Sequence, residues 1–222
     1  MLLGPEYHRW YKKTPTPSGP GFNLPVAWKF QTGDLFVRAN VYLDEDFMRD
    51  FQAHTAADDD LYMEMALAQA RQAAADGEAP VGAVIVRQRT VIARGRNRRE
   101  ERQSPLAHAE MLAIEAASSY LKSWRLTDCE LYVTLEPCIM CVGAILQARL
   151  RRLVFGCLDP KAGVVESLYR ICDDERLNHR VSAIGGIKGS ESAILLADFF
   201  ERLREKKRLQ TAESWPSPAE GA

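Results

Sequence analysis

The chain has 222 residues, of which 46% are hydrophobic and 27% charged, and its formal net charge is −1. That composition belongs to an ordinary globular protein, long enough for one substantial domain and an additional segment. It excludes a membrane span, because no apolar run approaches the roughly 18 residues one requires, and it leaves any nucleic-acid affinity to local patches of charge.

Residues 1–57 stand apart in composition. They hold five of the eleven prolines, all by Pro25, and ten of the nineteen aromatic residues, all by Phe51. Disordered tails lack aromatics and transit peptides lack acids, so neither description fits. There is no basic region leading into an apolar core, so no secretory signal is expected. Residues 32–43 read as a short strand and 44–52 as a turn or two of helix. Two readings of the segment stay open: an N-terminal extension, or upstream sequence included through a misassigned start, with Met48 or Met63 as later candidates.

A compact domain is expected over residues 58–209, with a flexible tail over 210–222. Asp58-Asp59-Asp60 suits the cap and first turn of a helix, where acids complement the dipole. That helix runs to Ala75 with Gly77 as its stop, and Leu61, Met65, Ala68 and Gln72 mark its expected inward face. Val81 to Val86 reads as a strand buried on both faces, joined by a tight Gln88-Arg89 connection to a second strand, Val91 to Gly95. From Arg87 to Arg102 there are seven arginines against two glutamates. A solvated hairpin and loop is the plain reading; phosphate contact is the functional one.

His108 to Tyr120 is expected to be a helix with Leu112, Ala113, Ala116, Ala117 and Tyr120 inward. Leu131 to Leu135 is the third strand, and Pro137 opens a helix to about Leu150 from a first-turn position. Leu153 to Gly156 and Val181 to Gly185 complete five strands, with a short helix near Ser167 to Ile171 between them and a last helix over about Ser190 to Leu209. The fold class is therefore α/β: a three-layer helix–sheet–helix sandwich around a five-stranded mixed sheet, its later strands parallel.

Two short motifs carry the chemistry. His108-Ala109-Glu110 and Pro137-Cys138-Ile139-Met140-Cys141 supply one imidazole and two thiols, a set that holds zinc with its fourth position open. Cys138 and Cys141, three apart on the first turn of a helix, can grip one ion, and the helix N-terminus favours their thiolates. Glu110 lies beside the ligands as a proton carrier, and the combination is the signature of the zinc nucleobase deaminases. A closed structural zinc site requires a fourth protein ligand. Cys129 and Cys157 are the spare candidates, each with a plainer reading as a small buried residue. His179 reads as a loop or core histidine. The odd cysteine count with one C-x-x-C favours a metal and a reducing cytoplasm over disulfides.

From Leu61 to about Lys207 the chain resembles the bacterial tRNA-specific adenosine deaminases, on more than the zinc motif. The matching segments include Pro80-Val81-Gly82-Ala83-Val84, Asn97-Arg98, Leu131 through Cys138 and Val154-Phe155-Gly156. Asp159-Pro160-Lys161-Ala162-Gly163, Asn178-His179-Arg180-Val181 and Asp198-Phe199-Phe200 also match, and these last three point to the tRNA branch of the cytidine-deaminase-like superfamily. The resemblance implies conversion of the wobble adenosine of a tRNA anticodon loop to inosine by a cytoplasmic homodimer with one zinc per subunit. It implies Glu110 as the catalytic residue, His108, Cys138 and Cys141 as metal ligands, and Asn97, Asp159 and Lys161 as substrate contacts. Glu166 departs from the family, which has a small residue there. The alternatives are a free nucleobase or nucleoside deaminase of the guanine or cytosine type, and a non-catalytic RNA-binding subunit.

Overall fold

The computed structural model describes residues 22–23, 42–43 and 56–213. Two compact units divide at residue 53. In the first, β1 (Phe22–Asn23) pairs antiparallel with β2 (Tyr42–Leu43). Only those last two residues of the expected 32–43 strand are described, and the expected helical turns over 44–52 lie outside the described residues.

In the second unit α1 (Ala56–Ala75) is followed by the hairpin β3 (Gly82–Arg87) and β4 (Thr90–Arg96), then a single-turn helix α2 (Arg99–Arg102). Next come α3 (Ala109–Leu121), β5 (Cys129–Leu135), α4 (Ile139–Gln147) and β6 (Arg152–Cys157). A 3₁₀ turn at Ile171–Asp173, β7 (Ser182–Ile184) and α5 (Gly189–Glu213) complete it. The sheet order is β4-β3-β5-β6-β7, with β3 antiparallel to both β4 and β5, and β5, β6 and β7 mutually parallel. The expected five-stranded mixed sheet and its parallel half are both present. The β3–β4 turn places Gln88 and Arg89 at φ 48° and 60°, the left-handed pair of a two-residue hairpin whose twist matches its strands.

Two apolar layers flank the sheet. α1 packs Tyr62, Met63 and Ala66 onto Val84, Val86, Tyr132 and Val154. On the opposite face Ala109, Ala113 and Ala117 of α3, with Val142 and Ile145 of α4, meet Ile85, Leu131, Val133 and Phe155. The expected inward faces need correction. Leu61 is 51% exposed and Ala68 and Gln72 are also exposed, while Tyr62, Met63, Ala66, Leu67, Ala70 and Ala73 are buried. On α3, Ala116 and Tyr120 face outward. Both helices bury three alanines each, and small side chains let a helix lie close to a pleated surface.

Gly95 shows how close. A Cβ there would stand 2.1 Å from the Ala109 carbonyl oxygen and 2.7 Å from the Ala113 nitrogen, so β4 presses its bare backbone against α3. Below α1, at the other end of the sheet, Arg152 joins two buried carboxylates: its guanidinium lies 2.7 and 2.8 Å from the Asp59 oxygens and 3.2 Å from Glu130. The Tyr132 hydroxyl lies within 3.0 Å of both acids. This contact links positions 93 residues apart and pins the first turn of α1 to β6.

Candidate active site

Two helix starts face each other. His108 precedes α3 with extended dihedrals (φ −74°, ψ 153°), and Cys138 precedes α4 in the same way (φ −77°, ψ 174°). Each backbone carbonyl enters its helix, as Leu112 N–H donates to His108 and Val142 N–H to Cys138. Neither side chain caps its own helix, a position normally given to Ser, Thr, Asp or Asn. Both point instead at the other helix. Cys138 thus sits one residue before the helix rather than on its first turn, and Pro137 lies before that. A proline outside the helix fixes the entry of the chain but occupies no helical position.

His108 Nδ1 lies 3.7 Å from Cys138 Sγ and 3.5 Å from Cys141 Sγ, and the two sulfurs are 3.7 Å apart. A tetrahedral zinc with bonds of about 2.3 Å to sulfur and 2.0–2.1 Å to nitrogen spaces its ligands about 3.5 to 3.8 Å apart. The three donors already have that spacing. Among the described residues they form the one group of three or more potential ligands close enough to share an ion, so Cys129, Cys157 and His179 are not part of the site. The His179 ring nitrogen lies instead 2.8 Å from the Leu150 carbonyl. The donor set fits one zinc ion with a fourth position to spare.

The titratable groups act strongly on one another through their closeness. Hydrogen bonding from Cys141, and then from His108, pulls the Cys138 thiol down to about 3 against its burial. The Cys138 contact raises His108 from its ordinary value. The same thiolate and burial push Cys141 upward. Glu110 is 4% exposed; burial raises its carboxyl, and the side chain stands against Cys141. His108, Glu110, Cys138 and Cys141 are therefore brought together by two helix starts.

The expected substrate contacts lie on flanking segments. Asn97 is buried, its backbone N–H bonded to Val81, and the next residue donates to Ala107, so this strand end runs alongside the approach to His108. Its side-chain amide donates to Glu78 at 3.2 Å, and Glu78 also accepts the N–H groups of Glu100 and Glu101. That arrangement folds the single turn of α2 that the arginine-rich stretch concealed. Asp159 turns its carboxylate onto the N–H groups of Lys161 and Ala162, shaping its own loop, and Lys161 is exposed. The Glu166 side chain is exposed and its N–H is bonded, so the loop accommodates the departure there. Sequence reasoning missed Glu78 and Glu136, buried acids that each accept backbone amides and one side-chain donor.

The arginine stretch lines a cleft of about 440 Å³ between β4 and the outer face of α3, with Arg94, Arg96, Arg98 and Arg102 along one wall. Arg96 pairs with Asp76 at 2.9 Å and Arg98 with Glu101.

Comparison with known proteins places this geometry in context. A family model described as the cytidine and deoxycytidylate deaminase zinc-binding region matches residues 56–157. The tRNA-specific adenosine deaminase of Bacillus subtilis is 45% identical over 150 residues, which is 68% of this chain and 93% of that protein. Its counterpart from Haemophilus influenzae is 41% identical over 155 residues, 69% of this chain and 90% of that one. A solved structure from work on A-to-I editing by tRNA:A34 deaminases at the wobble position of transfer RNA is 46% identical, with a TM-score of 0.59 over 61% of this chain and 99% of that chain. The guanine deaminase of Nitrosomonas europaea, 22% identical with a TM-score of 0.54 over 75% of this chain and 98% of that chain, shares the fold.

Proposed function

Because the chain belongs to the tRNA-specific adenosine deaminase family of zinc-dependent deaminases, we propose that it converts the wobble adenosine of a tRNA anticodon loop to inosine. The observation that carries the reading is the convergence of His108, Cys138 and Cys141 at zinc spacing with Glu110 buried beside them. Within that reading the deaminase domain spans residues 58–209.

His108, Cys138 and Cys141 would hold the zinc ion, which when bound would supply the acidity that makes water a competent nucleophile near neutral pH. Glu110 would take one proton from the attacking water and deliver it to the purine ring nitrogen N1, then take the remaining proton from the hydroxyl now on C6 and pass it to the departing amino group. A carbon–oxygen bond forms at C6, the carbon–nitrogen bond breaks, and ammonia leaves. Burial suits Glu110 to this work, because it raises the carboxyl above its ordinary range and so lets it hold and return a proton. The pocket accepts only a base out of its stack, which a splayed anticodon loop provides. Asn97, Asp159 and Lys161 act as contacts to the flipped nucleoside and its flanking nucleotides.

The active form is a homodimer. Leu106, Ile139, Leu158, Leu168 and Tyr169 are each about half exposed or more, and all lie on the segments that build the site. A second copy covers such a surface and brings RNA contacts of its own. Among the described residues no helix is long and apolar enough to cross a membrane. A tRNA substrate supports a cytoplasmic location for the enzyme.

The test is incubation with an anticodon stem-loop carrying adenosine at the wobble position, in parallel with free adenosine, cytidine and guanine. Inosine in the RNA is expected. Turnover of a free base with none in the RNA would move the protein to the free nucleobase deaminases.

A further inference from the structure

A single carboxylate beside the zinc-binding turn organises the whole loop that follows β6. Glu136 immediately precedes Pro137-Cys138 and is 2% exposed. Among the described residues no lysine or arginine pairs with it. Its oxygens accept four backbone amides and a hydroxyl instead. Oε2 takes the Asp159 N–H at 2.9 Å and the Ser167 hydroxyl; Oε1 takes the N–H groups of Val165 at 3.0 Å, Glu166 at 2.7 Å and Ser167 at 2.9 Å.

A buried carboxylate without a cation is tolerated only when its acceptor sites are filled, and here every donor comes from the 159–167 segment. The loop wraps the acid at close range. A Cβ at Gly163 would stand 2.3 Å from the Glu136 carboxylate and 2.8 Å from the Asp159 carbonyl. Two further links join the same loop to the metal turn: Val164 N–H donates to the Pro137 carbonyl at 3.1 Å, and Cys138 forms an antiparallel bridge with Gly163. One side chain therefore sets the position of Asp159 and Lys161 relative to Cys138.

We propose that Glu136 is a positioning residue for the RNA substrate. Its carboxylate holds the 159–167 loop against the zinc turn in the form that receives the nucleotides flanking the target base, and it takes no part in the chemistry. This rests on the tRNA reading above. A residue serving overall stability alone would change melting temperature without separating kcat from KM. A residue serving the metal would change zinc content.

The test compares Glu136→Gln, Gly163→Ala and Ser167→Ala with the wild type on the wobble-adenosine stem-loop, reading kcat, KM, stem-loop affinity by fluorescence anisotropy, and zinc per chain. Glu136→Gln turns one acceptor oxygen into a donor. Gly163→Ala displaces the intact carboxylate from the other side. Both should raise KM and weaken RNA binding about 10- to 100-fold, the loss that follows from disrupting charge-assisted bonds. In both, kcat should stay within about threefold and zinc at one per chain, since no group that transfers a proton is touched. Ser167→Ala, which removes one of five donors, should shift KM only a few-fold in the same direction.

Unchanged KM and RNA affinity in Gly163→Ala and Ser167→Ala would overturn the proposal, whether or not Glu136→Gln folds. So would a fall in kcat at constant KM, or zinc loss from a folded variant. A wild type that makes no inosine in the RNA defeats the functional reading and this inference with it. An active wild type with unaffected variants defeats this inference alone.

Discussion

Gly95→Ala tests whether the contact between β4 and α3 fixes the active site. The new methyl would lie 2.1 Å from the Ala109 carbonyl oxygen, about 1 Å or more inside ordinary contact distance. Neither neighbour can rotate away, since both atoms struck are helical backbone. α3 must therefore withdraw as a body by roughly 1 Å, or β4 must buckle. Overpacking of this kind costs about 1 to 3 kcal/mol. The functional cost is larger, because Ala109 lies between His108 and Glu110 and the helix carries both. A displacement of about 1 Å at a catalytic group costs around 10²-fold in rate, and misplacing a metal ligand weakens affinity about 10- to 100-fold. We expect a soluble variant with a melting temperature lower by a few to about ten degrees. Its deamination at saturating RNA should fall by about two orders of magnitude, and zinc should be lost at lower chelator concentration. Wild-type activity and zinc retention alongside the expected drop in melting temperature would refute the reasoning, because β4 would then absorb the methyl without moving α3.

Glu110→Gln should keep one zinc per chain and lose about 10²- to 10⁴-fold in kcat, the usual worth of a general acid–base group; activity within tenfold of wild type would remove Glu110 from the proton transfer. Arg152→Met should destabilise by about 3 to 5 kcal/mol, because Asp59 and Glu130 would keep their burial and lose their shared cation. Thermal unfolding at fixed zinc measures it, and kcat of the folded variant should not change, since the cluster lies under α1 on the opposite sheet face. A loss below about 1 kcal/mol would show that water or Arg151 replaces the missing charge. Dialysis against a chelator should abolish activity and lower the melting temperature, with zinc restoring both; metal-free protein that still deaminates RNA would exclude a catalytic zinc.

Much of the fold was legible because strands of this kind announce themselves. Val84, Ile85, Leu131, Val133, Val154 and Phe155 form continuous apolar runs, and a strand buried on both faces has no other pattern to offer. The zinc site was legible for a different reason: His108-x-Glu110 and Cys138-x-x-Cys141 are local spacings that survive the folding of the chain between them. The inward face of α1 was not. Its buried positions include Ala66, Ala70 and Ala73, and its exposed ones include Leu61 and Ala68, so hydrophobicity carries little contrast around that helix. Glu78 and Glu136 were hidden for a further reason. Most of their partners are main-chain amides, which every residue but proline has, and only the fold brings those amides together. For Glu136 the one local hint was its place directly before Pro137-Cys138.

The outermost strand β4 has a consequence for association. Among the described residues the sheet of five strands ends in two unpaired borders, and each is a template onto which another chain can add by main-chain pairing. β7 offers three residues, too few to nucleate a lasting partner. β4 offers seven, but Arg94 and Arg96 alternate along it with Arg98 just beyond. Two such strands laid side by side would bring like charges within a few ångströms across the ladder, which is unfavourable. The arginines thus close the longer border to strand addition. Association between copies of this chain would then use surfaces other than this border, and replacing Arg94 and Arg96 with threonine should reveal the closed route as concentration-dependent aggregation in light scattering.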